Sequence, residues 1–405
     1  MLRLLRVRTN ARLAVRSYAS STIKVGRTHH EPTTAGSPDS SILKPASYVD
    51  LPPPSEWRKY FRSDTLLTRD RASIKDQDTA NAMAEAFVPA GSEGKVIIEA
   101  YPGPGALTRA LMNLPKSRIS KLIVLEDHEP YLDFLSPLEA IDPRVKVIPM
   151  PGFSWDSYEK IRYEGLLDDV KHVDWETLHP QLQFVTHFPM NIHGEQLIAQ
   201  FLRCIPDKQW LFQYGRVPLS FVLSDYVWQR VQAGPQSRTR CKLSIVAQAV
   251  AQYDFAVPTE RLSPFAKHFH PKPRTPLPST VKHHNKVENR KIGIPFQAIN
   301  VTPLVHPAIE PSVLHKWDYC LRRLFVLKSK ALKDAIPALA PGAQVLLKKL
   351  DSPDIPPEDR VNIKTEVRKL SVSDWAKIIT VFDEWPFAPE DLAISDIFTS
   401  EREKN

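Results

Sequence analysis

The sequence predicts an α/β protein, a doubly wound Rossmann-like domain followed by a small helical domain, and three observations carry that expectation. Short apolar runs alternate with helically spaced segments from about residue 60 onward. A glycine-bearing turn joins the first of those runs to a helix. Beyond Pro311 the apolar spacing is helical throughout.

Taken in order, residues 76–87 have helical spacing, with Ala80, Met83, Ala84 and Phe87 on one face. Val96, Ile97 and Ile98 form a run that stops at the turn, and residues 107–114 are again helical. Further runs lie at 122–125, 145–148 and 181–186. Brief apolar runs between helices indicate parallel strands covered on both faces. Residues 210–224 and 242–255 bracket a connection, and 295–303 reads as one more strand. Leu314, Trp317, Leu321, Leu324 and Phe325 then form a helical stripe, with helices expected at 343–350 and 373–384. The expected division is an α/β domain over 59–310, a helical domain over 311–395 and a charged tail over 396–405.

A chain of 405 residues is too long for one small core, and its 42% hydrophobic and 25% charged content is ordinary for a globular protein. No run of 18 apolar residues offers a bilayer-spanning helix. Prolines number 37 against 13 glycines, which stiffens connections such as the Pro/Ser/Thr-rich linker over 19–58. The first 30 residues hold six arginines and one lysine, and the first acidic residue is Glu31. An arginine-rich, serine-bearing, acid-free start is the composition of a mitochondrial transit peptide, here cut after Tyr18. A basic arm for nucleic acid or an anionic membrane is the alternative reading. Removing residues 1–18 takes away five arginines and lowers the net charge from +8 to +3, so local patches must carry any nucleic-acid argument. Cys204, Cys241 and Cys320 are odd in number and far apart, which suggests buried free thiols rather than disulfides or a zinc site. His268, His270, His283 and His284 lack partners at ligand spacing, so no metal is expected.

The turn reads Glu99-Ala-Tyr101-Pro-Gly103-Pro-Gly105. Glycines between a strand and a helix let backbone N–H groups approach a ligand without Cβ interference. Some twenty residues on, Glu126 ends the next apolar run, where a carboxylate can accept hydrogen bonds from ribose hydroxyls. The turn is not a G-x-G-x-x-G fingerprint, and a tight turn with no ligand stays open on these residues alone.

The ordered blocks resemble the rRNA adenine N6-dimethyltransferases and their descendants, the mitochondrial transcription factors B. The turn is similar to that family's E-x-G-P-G-x-G-x-L-T, and Phe184-Val-Thr-His187-Phe-Pro189-Met190-Asn-Ile192 to its F-x-N-L-P-Y-N-I. Lys242-Leu-Ser-Ile-Val246, Phe269-His-Pro-Lys-Pro273, Arg322-Arg-Leu-Phe325 and Arg368-Lys-Leu-Ser371 resemble later blocks in the right order. The resemblance implies an S-adenosylmethionine-dependent methyltransferase fold. It also implies a cofactor site, bound or vestigial, at Ile74, Glu99, Tyr101, Gly103, Gly105 and Glu126.

The departures bear on function. Methylating an adenine amine requires acceptors aimed at it and a ring stacked on the base. His187 stands where the family has Asn and Met190 where it has Tyr, with Pro189 kept. Tyr101 replaces a loop glycine, Arg71-Ala-Ser-Ile74 replaces Q-N-F-L, and the Asp of G-D-A is absent near Gly152, with Asp156 a loose substitute. Such coordinated loss implies a scaffold released from catalysis. Trp210, Tyr214 and Arg216 are expected at the mouth of the former base pocket, where aromatics suit unstacked bases. A basic insertion over 267–291 carries Lys267, Lys272, Arg274, Lys282, Lys286, Arg290 and Lys291 as candidate phosphate contacts.

The expectation is a monomeric mitochondrial-matrix transcription initiation factor. Its partners would be the mitochondrial RNA polymerase and promoter DNA, especially the melted single strand. An active small-subunit rRNA adenine dimethyltransferase is the alternative, and a structural rRNA-binding assembly factor a third.

Overall fold

The computed structural model describes residues 49–65, 68–273, 292–390 and 392, which lie within one compact unit, 45–405. A seven-stranded sheet has the order β4-β3-β2-β5-β6-β9-β7. Its strands are β2 (Lys95–Ala100), β3 (Ile119–Leu125), β4 (Val145–Ile148), β5 (Leu182–His187), β6 (Leu219–Ser224), β7 (Ala251–Val257) and β9 (Phe296–Pro303). Strands β4, β3, β2, β5 and β6 are parallel, while β9 runs antiparallel between β6 and β7. The chain moves outward from β2 to β3 and β4, then returns to β5 on the other side. The crevice beyond the carboxyl end of β2 is therefore the switch point where such sheets take ligands. The expected doubly wound domain is this sheet.

Helices α1 (Trp57–Tyr60), α2 (Gln77–Phe87), α3 (Ala106–Met112), α4 (Glu129–Leu135), α5 (Leu138–Ile141) and α6 (Trp155–Tyr163) belong to the first half. The second half adds α7 (Ile192–Arg203), α8 (Asp225–Val231), α9 (Lys242–Val250) and α10 (Phe265–His268). Strands β2 and β5 are buried along nearly their whole length, so apolar residues occur on both faces, with Glu99, Gln183, Thr186 and His187 as buried polar exceptions. The buried face of α2 carries Ala80, Met83, Ala84 and Phe87, as its spacing predicts, and Asp76 caps its first turn by accepting from the Thr79 N–H.

After β9 come α11 (Leu314–Phe325), α12 (Leu332–Ala335), α13 (Leu346–Leu350) and α14 (Val372–Asp383). Helix α11 buries Leu314, Trp317, Leu321 and Leu324, and Phe325 stacks on Trp375 at 5.6 Å. Ser371 and Asp374 form a reciprocal capping box at the start of α14. Helices α11 and α14 both pack on α9. Buried Arg240, just before α9, donates to the carbonyl of Leu370, just before α14. The 343–350 segment is a 3-10 turn, Ala343–Val345, followed by α13. Residues 242–255 prove to be a helix and then a strand, because Ala251 turns the backbone extended and β7 pairs with β9.

A two-residue ladder lies outside the main sheet, with β1 (Ser73–Ile74) antiparallel to β8 (Phe269–His270). It ties the strap over residues 68–76 to the far end of the domain and lays it across the switch-point crevice.

Candidate functional site: a closed cofactor crevice

The turn after β2 is built on left-handed backbone. Gly103 and Gly105 have φ of 61° and 90°. Each is confined as well: a Cβ on Gly103 would stand 2.5 Å from Ser73 Oγ, and one on Gly105 2.5 Å from a Leu135 methyl. Tyr101 also has a left-handed φ, 58°, although it bears a large side chain. Keeping a glycine's backbone with a tyrosine in place costs about 1–3 kcal/mol, so something must hold it.

Arg71 does. Its guanidinium lies 5.3 Å from the Tyr101 ring centre and 5.0 Å from that of Tyr131 on α4. Between those rings it donates to both oxygens of Glu126, at 2.8 and 2.6 Å. Glu126 Oε1 also accepts from the backbone N–H groups of Asp127 and His128, each at 3.1 Å. The pair is buried, with Arg71 8% and Glu126 1% exposed. Burial would lower the Arg71 pKa, but the carboxylate outweighs it and the guanidinium stays firmly charged. Arg71 hangs from the strap, which is pinned again where the Met190 N–H donates to the Asp70 carbonyl at 2.7 Å.

The crevice is where S-adenosylmethionine, the cofactor the family resemblance implies, would be received, and side chains of this protein fill it here. The carboxylate positioned for ribose hydroxyls is fully bonded to Arg71 and two backbone amides, the Tyr101 ring covers the guanidinium, and Ser73 rests on the glycine turn. Ile74 is buried beside the turn as part of β1. Glu99 is buried at the end of β2, and neither oxygen has a hydrogen-bond partner among the described residues. Desolvation pushes its carboxyl up to about 7, and Thr108 nearby offsets this only in part. Asp156 is exposed in the first turn of α6 and does not substitute for the absent adenine contact.

The amine-holding block has changed character too. His187 is 7% exposed, wedged against Phe269 and Phe296 with ring centres 6.1 and 5.1 Å away. Desolvation, followed by the nearby Arg71 charge, lowers its pKa to about 3, so it is neutral, and Nε2 has no partner among the described residues. Met190 is buried rather than presented to a base, and Pro189 is half-buried. Asn191 keeps a structural duty, capping α7 by accepting from the Gly194 N–H at 3.1 Å. Gly194 must be glycine, since a Cβ there would meet the Pro189 carbonyl oxygen at 2.1 Å.

The aromatic surface expected at the pocket mouth is not there. Trp210 lies flat on Phe201, ring centres 4.5 Å apart, and edge-on to Phe184 and Tyr158. Tyr214 is buried and stacks on His172 at 4.9 Å. Arg216 donates to the carbonyls of Trp175, Glu176 and Pro303 and pairs with Leu178 ahead of β5. That is the amino-terminal edge of the parallel strands, opposite the crevice. The sequence gap between β5 and β6 carries a helix, α7, and the segment after it starts on the far side. Of the basic insertion, Lys267 and Lys272 are exposed, while Arg274, Lys282, Lys286, Arg290 and Lys291 lie outside the described residues.

A basic surface that sequence reasoning missed lies between α7, α9 and α11. This cleft of about 900 Å³ is lined by Arg203, Arg230, Lys242, Arg322 and Lys328, with Glu195 and Asp318 as its acids. Arg230 pairs with Glu195 and Arg203 with Asp318, which leaves the other three cations in excess. Its cations come from α7, α8, α9, α11 and the segment after α11, so no run of basic residues announces it. Cys241 also lines it, half-buried at the cap of α9, unlike buried Cys204 and Cys320. Burial would raise the Cys241 pKa, but Arg230 and Ser244 bring it below the usual thiol value. Among the described residues no helix is long and apolar enough to cross a membrane, and no group of three His, Cys, Asp or Glu could hold a metal ion.

The family model described as "Ribosomal RNA adenine dimethylase" matches residues 72–384. "Mitochondrial transcription factor 1" of Lachancea kluyveri is 26% identical over 308 residues, 73% of this chain and 82% of that relative. "Dimethyladenosine transferase 1, mitochondrial" of Vermamoeba vermiformis is 23% identical over 329 residues, 73% of this chain and 84% of that relative. A crystal structure of a dimethyladenosine transferase from Plasmodium falciparum overlays with a TM-score of 0.46 at 11% identity, covering 77% of this chain and 97% of that one.

Proposed function

Because this chain belongs to the ribosomal RNA adenine dimethylase family, we propose that it is a mitochondrial transcription initiation factor, a methyltransferase scaffold turned from catalysis to recognition. The protein is mitochondrial, like the relatives it matches. The observation that carries the reading is the Arg71–Glu126 pair clamped between Tyr101 and Tyr131. It puts a protein cation where a cofactor ribose would be received, which in this reading competes with a methyl donor for Glu126. Neutral, enclosed His187 and buried Met190 support it, since neither offers an acceptor or a stacking face to an adenine.

In this reading the protein acts as a monomer that binds the mitochondrial RNA polymerase and holds melted promoter DNA. The excess cations of the α7/α9/α11 cleft, together with exposed Lys267 and Lys272, supply the contacts to phosphates. Residues 1–18 serve as the transit peptide, and residue 310 divides the α/β domain from the helical one.

An active small-subunit rRNA dimethyltransferase is the second reading, favoured by the left-handed Gly103 and Gly105 and the intact Asn191 cap. One pair of measurements decides. Promoter-specific run-off by the cognate polymerase should rise on adding the protein, and S-adenosylmethionine titrated calorimetrically should give no heat of binding. Cofactor binding with methyl transfer to an adenine-bearing rRNA hairpin, and no run-off stimulation, would reverse the choice.

A further inference from the structure

Away from the crevice and the basic cleft, a second groove runs along α6. Its open part, about 920 Å³, is lined by Asp156, Glu159, Lys160, Arg162, Tyr163, Glu164, Asp168 and Tyr214. It shares Glu159, Arg162 and Tyr214 with a narrower part of about 410 Å³, floored by Trp155, Tyr158, Leu167, Trp210 and Leu211.

The groove shows aromatic surface that a water-facing helix has no reason to carry. Trp155 and Tyr163, which line its two parts, are 44% and 93% exposed. Exposed aromatics gathered around a concave apolar floor mark an interaction surface. The opposite wall is held by strained backbone. Lys208 and Trp210 have left-handed φ of 49° and 57°, a conformation that non-glycine residues keep only where the surroundings fix it. That backbone lays the Trp210 ring on Phe201 and gives the floor its shape.

Charge selects the occupant. Four carboxylates line the open part against two cations, and Lys160 is paired with Glu164 at 3.7 Å. With Lys208 of the narrower part counted, four carboxylates still outnumber three cations, on a chain whose formal charge is +8. Nucleic-acid phosphates are repelled here, so the groove fits a protein segment that carries Lys or Arg around an apolar anchor. The cations would meet Asp156, Glu159 and Asp168 and the faces of Trp155 and Tyr163, and the anchor the floor.

We propose that the α6 groove docks a basic, apolar-anchored segment of the RNA polymerase; the partner's identity rests on the function proposed above. Nucleic acid and polymerase then engage separate, oppositely charged faces of one scaffold.

The test measures the full chain and two variants against the cognate polymerase by fluorescence anisotropy, and against a single-stranded oligonucleotide in parallel. Tyr163→Ala removes a side chain that is 93% exposed, so the fold is not at stake. The triple variant Asp156→Asn, Glu159→Gln and Asp168→Asn removes charge without volume. Each should weaken polymerase binding at least about tenfold and leave oligonucleotide binding unchanged. The triple variant should also flatten the salt dependence of polymerase association. Wild-type binding to polymerase that both variants retain would overturn the groove while leaving the function standing. Equal losses in both assays would overturn the groove as well. No polymerase binding by the unaltered chain would overturn both.

Discussion

Arg71 and Glu126, 55 residues apart, are joined by two parallel hydrogen bonds in a buried pair whose cation is held between two tyrosine rings. Breaking a buried pair from one side leaves a stranded charge, at a cost of about 3–5 kcal/mol. Arg71→Met should lose stability on that scale in urea unfolding. Adding Glu126→Leu should recover most of the loss, giving a large coupling energy in the double-mutant cycle. Additive losses would mean that the two side chains do not act as a unit.

Glu99 predicts a pH dependence of opposite sign to ordinary acid denaturation. Its folded pKa of about 7 stands above the unfolded value of 4.5, so the native state binds the extra proton. Stability from this group is present below pH 4.5 and declines as pH rises through 7. Glu99→Gln should remove that decline and stabilise the protein near pH 8 by on the order of 3 kcal/mol, read from denaturation midpoints across pH.

His187 contributes the other limb. Its folded pKa of about 3 lies below the unfolded value of 6.5, so stability is full above pH 6.5 and is lost as pH falls toward 3. His187→Leu keeps an apolar fit against Phe269 and Phe296 and should flatten the loss between those pH values. A slope unchanged from wild type would show that the ring is solvated.

Trp210→Ala should behave as a core truncation. The ring contacts Phe201, Phe184, Tyr158 and Phe212. A loss of about 3 kcal/mol is expected, with affinity for single-stranded DNA unchanged when measured well below the melting temperature.

Neutralising Lys242 and Lys328 to Gln removes two cations from the α7/α9/α11 cleft. If both contact phosphates, the slope of log affinity against log salt for single-stranded DNA should become shallower by roughly 1.4. Melting temperature should hardly move, since Lys242 is exposed and Lys328 makes only a 3.3 Å contact to the Arg238 carbonyl.

The sheet and the turn after β2 were legible because buried parallel strands and left-handed glycines leave short, local marks in a sequence. The departures at Tyr101, His187 and Met190 were legible against a family pattern. The contacts that surround them were not. Arg71 and Tyr131 reach Glu126 from a strap and a helix, and nothing local in either segment says which acid they meet. The same holds for Trp210, Tyr214 and Arg216, whose alternation suits an exposed strand or a packed turn equally well. Only the position of that turn relative to β5 and β6 distinguishes them.

The strap that carries Arg71 also makes the crevice hard to open by single substitutions. A glycine at 101 would strip one ring from a buried guanidinium, removing Arg71 would strand Glu126, and Asp70 anchors the backbone of Met190. Each single change at this crevice therefore passes through a less stable protein. The strap, the turn and the block after β5 therefore behave as one interlocked keystone, which must be altered together or not at all.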